Sequence, residues 1–170
     1  KPENILAGPF GEVLLLDWGL AKVWNPDGSV TKEVNSDNEG TAEVIDLSMT
    51  GRGKAQGTAH YMSPEQVNQD PNIDHRTDLF SLGAVLYEVL CGQTPAVGEN
   101  LQEVIESVLN DIPVRPSDLT NQAVPKILEN IAMQCLQKNA YDRYDSMAEI
   151  VRLIQQDWRS SLVAGHESLA

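Results

Sequence analysis

The stretch DLFSLGAVLYEVLC, from Asp78 to Cys91, limits the folds open to this chain more than any other. Leu79, Phe80, Leu82, Val85, Leu86, Val89 and Leu90 surround a helix there on nearly every side. A helix without a polar face has to be buried among other elements. Gly92 stops it and Pro95 follows, the usual punctuation after a helix. The rest of the chain must supply the elements that cover it.

Three downstream stretches are suited to that. After the cap-like Asn100, Leu101, Val104, Ile105, Val108 and Leu109 recur at i, i+3, i+4, i+7 and i+8, an amphipathic stripe. Pro113 and Pro116 interrupt, and Pro125 to Gln137 reads as a helix with Ile127, Leu128, Ile131 and Cys135 inward. Ser146 to Trp158 is the last helix, with Ser146 and Glu149 as a capping box and Met147, Ile150, Val151 and Ile154 as its inner face. A short helix is announced earlier by Ser63-Pro64-Glu65-Gln66, with a capping serine, proline at the first helical position and glutamine at the third. The tail, 160–170, is expected to be frayed and disordered.

The front of the chain differs. Residues 5–6 and 12–16 read as two short strands joined by the turn Gly8-Pro9-Phe10-Gly11. The fold class is therefore α+β, mainly α-helical, with a small β-hairpin at the N-terminal end. From Asn25 to Gly57 the chain is polar and Gly-rich and carries Ser29, Thr31, Ser36, Thr41, Ser48 and Thr50. Apart from one short patch, Ala42 to Leu47, it has no usable period. So long a structureless stretch inside a compact domain is either functional or disordered.

Charge narrows the function. With 12 basic against 25 acidic residues, the net charge is −13. Such a surface repels phosphate backbones and anionic lipid, which argues against nucleic acid or a membrane surface as partner. It does not exclude a local site for a phosphate-bearing ligand. Cys91 and Cys135 lie far apart within helical patterns, so reduced core thiols in a cytoplasmic protein are expected. No apolar run reaches membrane-spanning length. The chain begins at Lys1 without an initiator methionine, and a piece of a longer polypeptide is expected.

In VLLLDWG, four aliphatic residues run into Asp17. Burying a polar group there without a partner costs about 2–7 kcal/mol, and a charge more. Asp17 either caps the strand and faces water or sits where a cation neutralises it. Asn4 of Lys1-Pro2-Glu3-Asn4 stands at the other end of the same hairpin, and both residues offer oxygen. Hard oxygen ligands with a lysine nearby suit magnesium bound to phosphate. On these residues alone a solvated turn remains an equal reading.

KPEN, DWG, GTAHYMSPE, DLFSLG and then Arg143, in that order, resemble the eukaryotic-type (Hanks-type) serine/threonine protein kinases over roughly Lys1 to Trp158. The wording GTAHYMSPEQ is closer to bacterial than to animal members. The resemblance implies a kinase-like C-lobe over 1–159 with a long activation segment, 17–65. It implies ATP and Mg2+ (or Mn2+) as cofactors and a protein with Ser or Thr hydroxyls as substrate. Asp17 and Asn4 would hold the metal ions. Lys1 would reach the transferring phosphoryl group, and Thr58 would help place the substrate hydroxyl. Leu6 would lie beneath the adenine. Glu65 and Arg143 would form a buried ion pair tying the activation segment to the helical body. Asp78 would anchor the catalytic-loop backbone. Taken singly, each residue has a plainer reading: Asp78 a helix cap, Glu65 a first-turn acid, Arg143 a surface arginine and Thr58 part of a turn.

The departures matter as much. The resemblance places a catalytic aspartate two positions before Lys1, and a Gly-rich loop, a strand lysine and its glutamate further upstream. The chain then reads as a C-lobe fragment, inactive without the N-lobe of its own polypeptide. Trp18 replaces the usual phenylalanine, and Phe80 the usual tryptophan. In the long polar insertion Thr50 is the expected phosphosite. The alternative is a pseudokinase or scaffold module, against which Lys1, Asn4 and Asp17 all stand intact.

Overall fold

The computed structural model describes residues 1–17, 23–24, 30–31 and 52–167, with side chains over 1–17 and 56–160. Expectations for Trp18, Thr50 and the patch 42–47 lie outside the described residues.

The chain opens with a 3-10 turn, Pro2–Asn4, and an antiparallel hairpin of β1 (Ile5–Ala7) and β2 (Val13–Leu15). Ile5 pairs with Leu15, Leu6 with Leu14 and Ala7 with Val13. The turn closes because Gly11 takes φ 89, a left-handed conformation that only glycine adopts at little cost. The Glu12 carboxylate accepts the Phe10 N–H at 3.0 Å. A second hairpin pairs β3 (Val23–Trp24) with β4 (Val30–Thr31).

The helical body follows: α1 (Arg52–Ala59), α2 (Pro64–Val67), α3 (Arg76–Cys91), α4 (Leu101–Asn110), α5 (Pro116–Leu119), α6 (Lys126–Cys135) and α7 (Met147–Glu167). Helix α3 is the axis, packed chiefly against α6 and also against α5. On one side Phe80, Ala84 and Tyr87 meet Val104 and Val108 of α4 and Ala132 of α6. On the other, Leu79 meets Ile131, Cys135 and Ile150. The α3–α6 crossing is close because Gly83 has no side chain. A Cβ there would come within 2.5 Å of Cys135 Cβ and 3.2 Å of the Ala132 carbonyl oxygen.

Local chemistry sets the helix ends. Ser63 and Gln66 form a reciprocal capping box, with Gln66 N–H to Ser63 Oγ at 3.3 Å and Ser63 N–H to Gln66 Oε1 at 2.9 Å. Asn100 Oδ1 caps α4 through the Glu103 N–H at 3.1 Å. Gly92, at φ 74, ends α3 and donates its N–H to the Glu88 carbonyl at 2.7 Å. At the far end of α4, Lys138 Nζ donates to the carbonyls of Ser107 (3.2 Å) and Val108 (2.6 Å). That cation caps the end of α4, where the Ser107 carbonyl also accepts the Asp111 N–H at 3.0 Å.

Several expectations are corrected. Part of the polar stretch 25–57 is ordered: β4 and most of α1 lie within it. Helix α1 has no apolar stripe, and it is held by packing against α4, with Ala59 fully buried in the core. The last helix does not fray at Ser160 but continues to Glu167. Of its proposed inner face only Ile150 is buried, whereas Met147, Val151 and Ile154 are exposed. Its main partner is α6, which covers one narrow stripe and not the whole apolar side. The Glu149 carboxylate reaches back to the Asp145 N–H at 3.2 Å, one residue before the expected cap. Helix α3 is central, yet Val89, near its C-terminal end, is 75% exposed. Among the described residues no helix is long and apolar enough to cross a membrane. Both cysteines are free thiols, and burial pushes that of Cys135 up to about 12.

Candidate active site

Two groups of residues carry the candidate chemistry. The first lies at the root of the β1–β2 hairpin. Asn4 closes the opening turn by donating its N–H to the Lys1 carbonyl at 3.0 Å, and its own carbonyl accepts the Leu16 N–H at 2.8 Å. That second bond draws the two ends of the hairpin together. Asp17 then turns at φ 65, a left-handed conformation that aspartate tolerates better than most residues. The result is that Asn4 Nδ2 lies 3.4 Å from Asp17 Oδ2, across a separation of 13 residues. Lys1 is half-exposed immediately before the turn.

Of the two readings left open for Asp17, buried beside a cation or facing water, this chain by itself shows the water-facing one. Asp17 is exposed, and so are Leu6 (50%) and Leu16 (44%) beside it. The aliphatic run forms one strand of a two-stranded sheet at the margin of the body, so within this chain the carboxylate carries no desolvation cost. One of its oxygens, Oδ2, accepts from the Asn4 amide.

The second group is the segment from Thr58 to Glu65. Thr58 occupies the last turn of α1, and its carbonyl accepts the Tyr61 N–H at 3.1 Å. Tyr61 is tied to α3 twice. Its hydroxyl donates to Glu88 Oε2 at 2.7 Å, and its carbonyl accepts the Ser81 hydroxyl at 2.7 Å. Burial, together with the bond to Glu88, pushes the Tyr61 phenol well above its ordinary value. Ser63 is fully buried, its hydroxyl against that of Thr77.

Glu65 meets Arg143 side by side, with Nη1 to Oε1 at 2.6 Å and Nη2 to Oε2 at 2.8 Å. The Arg143 side chain is fully buried. Its remaining N–H groups donate to the carbonyls of Gln137, Arg76 and Lys138. The guanidinium also lies 5.0 Å from the centroid of the Phe80 ring. Burial alone would raise the Glu65 carboxyl. The Arg143 hydrogen bonds, the backbone N–H and the neighbouring charge more than offset it, and the carboxyl is held below its usual value.

Asp78 sits in the first turn of α3 with its carboxylate exposed, and partial desolvation raises its carboxyl, opposed by the charge of His75. Residues that sequence reasoning overlooked include Tyr61, Glu88, His60 and Ser81. Their partners lie 20 to 36 positions away, and no local spacing announces such pairs.

With this geometry in hand, comparison with known proteins is specific. The profile of the protein kinase domain matches residues 1–158. The chain is 36% identical over 157 residues to the serine/threonine-protein kinase PknD of Protochlamydia amoebophila, covering 91% of this chain and 16% of the relative. It is 33% identical to the serine/threonine-protein kinase PknB of Mycobacterium leprae over 150 residues, 88% of this chain and 21% of the relative. Against PknB of Mycolicibacterium smegmatis it is 33% identical over 171 residues, 100% of this chain and 23% of the relative. The chain thus spans less than a quarter of the length of these curated relatives. It belongs to the protein kinase domain family, and its similarity within that family is to bacterial serine/threonine-protein kinases.

Proposed function

We propose that this chain forms the metal-facing and substrate-facing half of an ATP-dependent serine/threonine protein kinase. The observation that carries the reading is the meeting of Asn4 and Asp17 at 3.4 Å on an open face, with Lys1 at the same turn. An amide and a carboxylate converging there are a donor set suited to Mg2+ or Mn2+. Asp17 and Asn4 would hold the metal, which would neutralise charge on the nucleotide phosphates. Lys1 supplies a further positive charge toward the transferring phosphoryl group. Leu6, half-exposed beside this face, offers apolar surface to the base.

Thr58 aligns the acceptor hydroxyl of a Ser or Thr in a protein, held by a segment that Tyr61 and Glu65 fix to the helical body. Phosphoryl transfer depends almost wholly on positioning and charge stabilisation. The base and the nucleotide-covering lobe belong, in this reading, to residues N-terminal to Lys1. Asp78 anchors that catalytic loop on α3.

The experiment is phosphate transfer from ATP to an acceptor protein by the full-length polypeptide with Mg2+. Asp17→Asn is expected to lower transfer by about a hundredfold or more. Transfer at the wild-type rate by that variant would remove Asp17 from the metal site and the reading with it.

A further inference from the structure

The segment from Thr58 to Glu65 is held from two directions, and both holds end on the last turn of α4. On one side, His60 Nδ1 donates to the Ala96 carbonyl at 3.0 Å, and the Thr94 hydroxyl donates to the same oxygen at 3.0 Å. The next residue, Val97, donates its N–H to Ser107 Oγ at 3.1 Å. On the other side, Arg143 clamps Glu65 and donates from Nη2 to the Lys138 carbonyl at 3.2 Å. Lys138 Nζ in turn donates to the Ser107 carbonyl at 3.2 Å. These polar ties, with the backbone from Ala96 to Val97 and from His60 to Glu65, close a ring that runs from Ser107 through Val97, Ala96 and His60 to Glu65, and back through Arg143 and Lys138.

Ser107 is only 4% exposed, and its hydroxyl and carbonyl serve the two arms of the ring. Partly buried hydrogen bonds that share such a network favour a single arrangement of the groups they join. The fold does not depend on this hydroxyl, because α4 is seated by Val104 and Val108, both buried in the core. Ala96 is itself packed in the core, and the hydroxyl adds the tie that holds the adjoining Val97 to α4, next to the carbonyl that His60 binds two residues from Thr58.

We propose that Ser107 and His60 are positioning residues for the kinase reaction, acting together through this ring to place the Thr58–Glu65 segment against the acceptor protein. The inference rests on the kinase reading above. Among the described residues, the hydrogen-bond partners of His60 and Ser107 do not include Lys1, Asn4 or Asp17, so the effect is expected first on the acceptor.

The test is a double-mutant cycle in the full-length polypeptide, with steady-state kinetics on histone as the acceptor. His60→Ala and Ser107→Ala are each expected to raise the acceptor KM about threefold to tenfold, the range for one buried hydrogen bond. The KM for ATP is expected to stay at its wild-type value. Because both residues act through one ring, the double variant is expected to be no worse than the stronger single one. His60→Asn, whose amide replaces the ring donor, and Ser107→Thr, which keeps the hydroxyl, are expected to restore the acceptor KM. An unchanged acceptor KM, multiplicative effects in the double variant, or a lowered Tm without a change in KM overturns the proposal alone. A wild-type polypeptide that transfers no phosphate to any acceptor protein overturns the kinase reading, and this inference falls with it.

Discussion

Arg143 and Glu65 lie 78 residues apart in sequence and form two parallel hydrogen bonds of 2.6 and 2.8 Å. Nε and both terminal nitrogens of Arg143 find acceptors, the others being the carbonyls of Gln137, Arg76 and Lys138. One planar side chain therefore joins the end of the Thr58–Glu65 segment to the start of α3 and to the loop after α6. Only a guanidinium carries donors in a fork that fits this set.

Breaking that pair from one side leaves a charge without its partner inside the body. Arg143→Met is expected to lower the stability of the fold by about 3–5 kcal/mol. Arg143→Lys is expected to recover only part of it, since one ammonium cannot replace a bidentate fork. Urea denaturation followed by circular dichroism measures both. An Arg143→Lys variant as stable as wild type would show that the planar geometry contributes nothing.

Acid stability is expected to depend on Glu129. Its buried carboxylate accepts the Ser117 N–H at 2.8 Å and Arg115 Nη2 at 2.9 Å. Hydrogen bonding from Ser117 first, and then the Arg115 guanidinium, hold its carboxyl down to about 2, against an ordinary 4.5. The folded value is depressed, so this stabilisation is complete above about pH 4.5 and is lost as pH falls towards 2. Unfolding free energies of wild type and Glu129→Gln, measured across that window, should converge as the pH drops. A difference that stays constant from pH 6 to pH 3 would mean the carboxylate is not held down in the fold.

Gly83→Ala tests the α3–α6 crossing. The added methyl would meet Cys135 Cβ at 2.5 Å and backbone at 3.2 Å, so the helices must separate. A loss of about 1–3 kcal/mol is expected, as for overpacked cores, even though alanine favours helix more than glycine does. A gain in Tm would show that the crossing is slack. Combining it with Cys135→Ala, which keeps the clashing Cβ, is not expected to return the loss.

The purified 170-residue chain is expected to transfer no phosphate by itself. In the proposed reading this chain supplies one wall of the ATP cleft, and alignment of ATP needs both. The same chain presents Leu6, Val13, Leu14, Leu15 and Leu16 to solvent on one hairpin, an apolar patch of a kind that marks an interaction surface or an aggregation liability. Leu14→Gln is expected to reduce binding of a hydrophobic dye and raise solubility without altering the helical circular dichroism. Detectable transfer from ATP by the purified chain would show that one wall suffices.

Much of the architecture is written in short-range pattern. The capping box at Ser63 and Gln66, the Asn100 cap and the stripe from Leu101 to Leu109 all rest on neighbours within a few positions, and each element lies where that pattern puts it. The hairpin is legible for the same reason, since Gly8 to Gly11 marks its turn and short apolar runs its strands. Helix α1 is not legible, because Arg52 to Ala59 carries two glycines and no apolar face, and α4 supplies the contact that holds it. The exposed side of α7 misleads in the opposite sense. Met147, Val151 and Ile154 look inward on a helical wheel, but a wheel does not say how wide the covering surface is.

By itself the sequence determined the order of the motifs, the helices that neighbouring residues can nucleate and cap, and the oxygen-bearing residues at the two ends of the first hairpin. Tertiary structure alone decided the pairings: Tyr61 with Glu88, His60 with Ala96, Lys138 with the end of α4, and the side-by-side geometry of Glu65 and Arg143. The division has one physical cause. Caps, turns and amphipathic stripes are satisfied within a few residues, whereas a buried polar group takes whichever partner the packing of distant helices brings within 3 Å or so.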